Sequence, residues 1–493
     1  MKNWCRWQST RHSSPAGPAF VRGRSPWPPL TGSILLLALY LVASPGFAQN
    51  ENTTNLTLEN GLDLVVIEDR RAPTVIQMLW YRSGSMDESS GSTGVAHVLE
   101  HLMFKGTPRF PEGVFSERVA AAGGRENAFT SRDYTGYYQQ VPISLLESVM
   151  TMEADRMQNL QFSEEAFAKE LSVVMEERRS RVEDQPSGKM QEQLMATAFV
   201  ASPYRTPVIG WMNDLENMTG SDARHWYQTR YAPNNAVLVI AGDVSADQVR
   251  QLAEKTYGKI PRKALPASKP QIEPEQDGLR RVQVKAPAEA PSVQLVFKVP
   301  GLRKLDDGAD QFALSMLAAV LSFGDTGRLT RELVRKTRIA NNAWAGYSML
   351  ARGPVLFSIG GTPAAGHTAA ELEQALIEQI RKIASDGVDD DELTRIKASY
   401  VAGQVYEKDS LFSQVMEAGT MRLANFEVTD AARILDGVRR VTVADVQRVA
   451  GSYFDTGKLT VATLEPQPIE STPRREQGGQ ATQPVAPAGG RRH

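Results

Sequence analysis

Apolar residues recur along this chain with two different periods, and their succession predicts an α+β protein. Short apolar runs bounded by turn residues read as strands at residues 61–67, 74–80, 235–242, 282–285, 292–299 and 458–464. Longer apolar segments, foremost 94–104 and 311–321, read as helices. The order repeats. In each half two strands precede an apolar helix, and each half closes on a further strand. Between them, residues 145–177 are echoed by 372–403 as helix, acidic turn (Ser163–Glu165; Asp389–Asp391) and helix. The Pro- and Lys-bearing stretch 261–276 reads as a linker. Strands mixed with paired helices in both halves predict two homologous α+β domains, 49–260 and 277–465.

Length and composition fit two cores: 493 residues, 41% hydrophobic and 23% charged. A net charge of −2 implies neither a nucleic-acid partner nor an anionic membrane. Residues 1–48 carry five basic residues and no acidic ones ahead of an apolar run at 34–43 and a small-residue site at Ala48. That is a signal peptide for bacterial export to the periplasm or medium, with no membrane anchor after cleavage. A mitochondrial presequence, also Arg-rich and acid-poor, is the rival. Cys5, the sole cysteine, falls in the segment to be removed, so neither disulfides nor thiol ligands are available afterwards. The stretch 466–493, rich in Pro, Gly, Gln and Arg, is expected to be a disordered tail.

The chemistry lies in the first of the apolar helices. His97 and His101 stand four apart, with Glu100 three after the first, so all three share one helix face. Two imidazoles on one face can grip a divalent metal, usually Zn²⁺. A carboxylate beside them that is not a ligand can take a proton from metal-bound water. Val95, Val98, Leu99, Leu102, Met103 and Phe104 make the segment apolar enough to be buried. Buried histidines and a buried Glu are costly unless they are paired or metal-bound. Only six histidines occur in the chain, and two are here. The order H-x-x-E-H inverts the commoner zinc-protease string.

On these residues, from about Leu56 to Leu464, the chain resembles the M16 (pitrilysin-like) metallopeptidases. The likeness is to the short two-domain members, which include bacterial exported zinc proteases and mitochondrial processing peptidase. The resemblance implies one Zn²⁺ per chain and a third ligand 76 residues past the second histidine, at Glu177. Glu170, Val173, Val174 and Glu177 fall on one helical stripe, whereas the neighbouring Glu176 is off that line and reads as a solvated or supporting carboxylate. The family pattern also gives Glu170 a supporting role at the catalytic site. Within 121–138, Gly123 and Gly124 break the preceding helix and the residues after them read as a strand; the family pattern makes this an edge strand, where Asn127 and Ala128 lie nearest the scissile bond of a peptide added as an extended strand.

The implied activity is zinc-dependent endopeptidase action on extended or unfolded peptides, with Glu100 as proton carrier. The implied architecture is a clamshell of two halves, only the first of which holds metal. The implied assembly is a homodimer or a pair with an inactive relative. The alternative is a non-catalytic, substrate-binding subunit of such a pair. One departure bears on that choice. Where the family usually places an Arg and, seven residues on, a Tyr after its Gly-x-Arg-Leu turn, this chain has Val334 and Asn341. Arg335, Arg338 and Tyr347 lie near those positions but out of register.

Overall fold

The computed structural model describes residues 52–469 except 268 and 270. The expected signal peptide and nearly all of the expected tail lie outside the described residues. In the first half the strands are β1 (Thr53–Thr57), β2 (Asp63–Glu68), β3 (Thr74–Tyr81), β4 (Arg125–Thr130), β5 (Thr135–Pro142) and β6 (Ala236–Gly242). Its helices are α1 (Val95–Leu102), α2 (Val114–Ala121), α3 (Leu146–Asn159), α4 (Glu164–Arg178), α5 (Pro186–Ala198), α6 (Met212–Asn217), α7 (Gly220–Arg230) and α8 (Ala246–Lys255). The second half has strands β7 (Arg280–Pro287), β8 (Ser292–Val299), β9 (Ala340–Tyr347), β10 (Val355–Pro363) and β11 (Thr460–Gln467). Its helices are α9 (Ala309–Ser322), α10 (Ala369–Asp386), α11 (Asp390–Glu407), α12 (Leu411–Leu423), α13 (Asp430–Arg440) and α14 (Val443–Ser452).

The two sheets repeat one topology. Their strand orders are β1-β2-β6-β3-β5-β4 and β7-β11-β8-β10-β9. β2–β6 and β7–β11 are parallel; the antiparallel pairs β6–β3, β3–β5 and β5–β4 match β11–β8, β8–β10 and β10–β9, and the outer pair β1–β2 has no counterpart. The duplication read from the sequence is therefore real, and α4 and α11 are counterparts. The strands read from the sequence as opening each half, β2 with β3 and β7 with β8, do not pair with each other. Between them lies the strand that closes the half, because β6 (Ala-Val-Leu-Val-Ile-Ala-Gly) is buried on both faces and belongs at a sheet centre. β11 runs through Gln467, so the first two residues of the expected tail pair with Ala286 and Pro287 instead. No helix among the described residues is long and apolar enough to cross a membrane.

Each sheet packs helices of its own half against one face, and those interfaces form the two large cores. The opposite faces are covered by exchange. Val415, Ala418 and Leu423, from α12 and its C-terminal end, lie on Val65, Ile76, Met78, Trp80, Val237 and Val239 of the first sheet. Met190, Leu194, Met195 and Ala198 of α5 lie on Val284, Val296, Ala462 and Leu464 of the second. A sheet with one bare apolar face is unstable in water, so each half completes the other's burial. The approach is tight at Gly419, where an added Cβ would collide with the indole of the fully buried Trp80. Gly419→Ala is expected to destabilise the protein by about 1–3 kcal/mol in denaturant unfolding. A variant as stable as the parent would show that this contact is loose.

Candidate metal centre

α1 is a short, almost wholly buried helix, and its entry is fixed by two carboxylates. Gly94 at the N-cap has φ 89°, a left-handed conformation, and an added Cβ there would strike the Ile209 carbonyl oxygen. Glu88 accepts from the backbone N–H of Gly94 (2.8 Å) and of Ala96 (2.9 Å). It thereby satisfies two of the donors that a helix start leaves free. Burial pushes its carboxyl up to about 8, against the pull of those two N–H groups. Asp214 of α6 accepts from the N–H of Gly91 and Thr93 and from the Thr93 hydroxyl (2.6 Å), fixing the loop that leads into α1.

From this helix His97 and His101 meet Glu177 on α4. The Nε2 atoms of His97 and His101 lie 3.7 and 3.5 Å from the same Glu177 oxygen, Oε2. One ligand atom from each of the three residues lies within 4.8 Å of the others. Glu176 points away, largely exposed, and pairs with Arg179. The stripe read on α4 needs one correction. Val173 is exposed, and the buried line runs through Phe167, Glu170 and Val174, with Glu177 partly buried at its end. Beyond Glu177, α4 passes into a π-helical turn, Arg179–Glu183, whose Arg181 closely pairs with the other Glu177 oxygen. Such turns often mark functional sites.

Glu170 sits behind the histidine pair rather than in it. Its Oε2 lies 3.3 Å from His101 Nδ1, and its Oε1 lies 2.7 Å from Lys105 Nζ. These partners hold its carboxyl at about 2. The contact orients the His101 ring and leaves Nε2 free to face Glu177. His97 Nδ1 is buried with no protein hydrogen-bond partner. Burial, reinforced by the nearby His101, holds His97 at about 4. For His101 burial acts downward too, but Glu170, Glu177 and Glu100 outweigh it and raise the ring to about 9. Glu100 is also buried, and that pushes it up to about 7, moderated by the 2.5 Å hydrogen bond it accepts from Thr130 and by His101.

β4 is the open edge of the first sheet, so Asn127 and Ala128 lie where an extended chain could add. The Ala128 N–H is held by the Asn127 side-chain oxygen at 2.9 Å. In the second half, the residues near the family's Arg and Tyr positions are engaged locally. Asn341 donates to Pro363 O, Arg335 pairs with Asp325, and the Tyr347 hydroxyl donates to Pro300 O at 2.7 Å. Sequence reasoning did not assign Thr130, Glu88, Asp214, Lys105 or Arg181. Only Thr130 carried a signal, through its place in the strand segment after the metal helix.

Comparison with known proteins gives the family. Residues 64–210 match the family description Insulinase (Peptidase family M16), and 217–400 match Peptidase M16 inactive domain. The zinc protease PqqE of Helicobacter pylori is 32% identical over 422 residues, covering 84% of this chain and 92% of that protein. A crystal structure of a protease from Helicobacter pylori superposes with TM-score 0.80 at 29% identity, covering 84% of this chain and 99% of that one. The periplasmic protease PqqL of Escherichia coli shares the fold (TM-score 0.72, 19% identity), with 85% of this chain matching 48% of that longer chain. The protein belongs to the M16 peptidase family.

Glu88→Ala is expected to cost about 0.5–2 kcal/mol and to speed amide exchange at Gly94 and Ala96, read by hydrogen–deuterium exchange. Unchanged exchange at both amides would remove Glu88 from its role as the cap.

Proposed function

We propose that this protein is an exported, zinc-dependent endopeptidase that hydrolyses peptide bonds in extended or unfolded chains. The observation that carries the proposal is the buried cluster of His97, His101 and Glu177 with Glu100 beside it. The donor set suits the metal. Two imidazoles and one carboxylate leave a coordination position open, as catalytic zinc sites require. A tetrahedral ion about 2.1 Å from each ligand sets those ligands about 3.4 Å apart. The imidazole-to-carboxylate separations of 3.7 and 3.5 Å are close to that figure and long for hydrogen bonds.

A bound zinc ion supplies Lewis acidity, which activates water and polarises a carbonyl. The residues of the chain do the rest. Glu100, kept off the metal by the Thr130 hydroxyl and high in pKa, receives a proton from the attacking water and returns it to the leaving amine. The β4 edge aligns the peptide. To expose the Ala128 N–H, Asn127 turns its side-chain oxygen away. Glu170 and Lys105 hold His101 in its ligating orientation.

The match to the inactive-domain description begins at residue 217, beyond Glu177, and so falls outside the metal cluster. The presence of Val334 and Asn341 favours a second reading for one function only, substrate contact from the second half. We assign that contact to a partner, either a second copy or an inactive relative. Export rests on the N-terminal composition, and N-terminal sequencing of the mature protein separates it from mitochondrial import.

Glu100→Gln is expected to retain zinc and lose about 10²–10⁴-fold in peptidase turnover. Wild-type cleavage rates in that variant would overturn the mechanism, and chelator-insensitive cleavage by the parent would overturn the metal's role. Glu177→Gln should lose zinc by elemental analysis, while Glu176→Gln keeps it. The reverse pattern would move the third ligand.

A further inference from the structure

The second half reaches the site region through a residue that has no part in metal binding. Arg352 lies in the loop between β9 and β10. Its guanidinium donates to both carboxylate oxygens of Asp87, at 2.8 and 2.9 Å, and to the Asp133 carbonyl oxygen at 2.8 Å. Its backbone N–H donates to Asp133 Oδ2 at 3.0 Å. The other Asp133 oxygen accepts a short hydrogen bond from the Tyr204 hydroxyl, which in turn accepts from Gly353 N–H at 2.9 Å. Arg303, from the same half as Arg352, donates to the carbonyls of Ala351 and Gly353 and so braces the loop from behind. The ion pair is mostly withdrawn from water: the side chains of Asp87 and Arg352 are 5% and 24% exposed.

The two segments gripped in this way lead straight to the chemistry. Asp87 is followed by Glu88, the carboxylate that caps α1 and thereby sets His97 and His101. Asp133 lies in the β4–β5 turn, three residues after Thr130, whose hydroxyl holds Glu100. The segments also touch each other, with Ser85 N–H on Ser131 O and Met86 N–H on Arg132 O. We propose that Arg352 is a positioning residue that locks the start of the metal helix to the β4 edge strand, holding Glu100 and the peptide in register with the histidine pair. The second half thus contributes to turnover by geometry rather than by touching the substrate. A planar fork on one carboxylate fixes orientation as well as distance, which a lysine cannot do. The inference rests on the peptidase reading for its kinetic consequence only.

The test uses the full chain carrying Arg352→Ala or Arg352→Lys. Zinc content, peptide turnover and hydrogen exchange across residues 94–98 and 128–134 are each compared with the parent. In the alanine variant zinc stays stoichiometric, kcat falls about 10–100-fold and KM changes little. Exchange quickens about tenfold in those two segments but not in β6. Lysine restores folding stability yet only part of kcat, and added guanidinium raises kcat in the alanine variant alone. A purely structural pair would lower the folded fraction and leave kcat per folded molecule unchanged. Turnover within about twofold of the parent, with unaltered exchange in both segments, overturns the proposal. If Arg352→Ala does not fold, Asp87→Asn is read by the same measurements and the same criteria. A parent that cleaves nothing refutes the peptidase reading, and the exchange data still decide whether the clamp exists.

Discussion

Five ionisable side chains, His97, Glu100, His101, Glu170 and Glu177, share one largely buried pocket, and much of the first half is arranged around keeping them there. Three carboxylates and two imidazoles withdrawn from water cannot all keep their ordinary protonation states. Burial and neighbouring charges pull these groups in opposite directions. Glu100 and His101 are pushed up while His97, Glu170 and Glu177 are pushed down. Groups under such opposed pressures stay in place only if the surrounding chain over-determines them. The Glu88 and Asp214 carboxylates, Lys105 behind Glu170, Arg181 on Glu177 and Thr130 on Glu100 supply that constraint.

The duplicated architecture explains why the site needs a second half that carries no metal residues. Each sheet has one face covered by its own helices and one covered by a helix from the other half, α12 or α5. Neither half therefore completes its own burial. Trp80 shows the consequence. It packs on Phe129 and Tyr134, at either end of the β4–β5 turn, and its indole abuts Gly419 of α12. The edge strand β4 is thus seated partly on side chains from the far half of the sequence. The Asp63 carboxylate, which accepts from both Arg82 and Arg422, adds a polar tie of the same kind.

What the sequence reveals follows from how locally each feature is encoded. His97, Glu100 and His101 lie within one and a half helical turns, so spacing alone puts them together. Glu177 is on a separate helix, and the family pattern, supported by the helical stripe, chose it over Glu176; the structure supplies the reason, since Glu176 faces solvent. The repeat of strands and helices was legible because both halves kept their apolar periods. The placing of β6 between β2 and β3 was not, because sheet order depends on contacts some 160 residues apart in the chain. The exchange of α5 and α12 was hidden for the same reason. Glu88, Asp214 and Arg352 are single polar residues in loops, with no periodicity to mark them, and their importance appears only when the backbone they hold is seen.

These observations bear on the missing Arg and Tyr of the second half. Had that half served substrate only through those two side chains, their replacement by Val334 and Asn341 would leave it without a purpose at the site. Yet its β9–β10 loop retains a buried two-point grip on the first half, braced by Arg303 and completed by Tyr204 from the opposite side. A charged pair withdrawn from water is an expensive way to join two domains when apolar contact is already extensive, and an uncharged replacement is often no less stable. What the ion pair adds is orientation. It falls on the segment that caps α1 and on the turn next to Thr130, the partner of Glu100, where a small misplacement would most disturb the geometry of the histidine–carboxylate cluster. Direct substrate contact and alignment of the metal helix are therefore separable duties of the second half, and this chain has kept the second where it lacks the usual residues for the first.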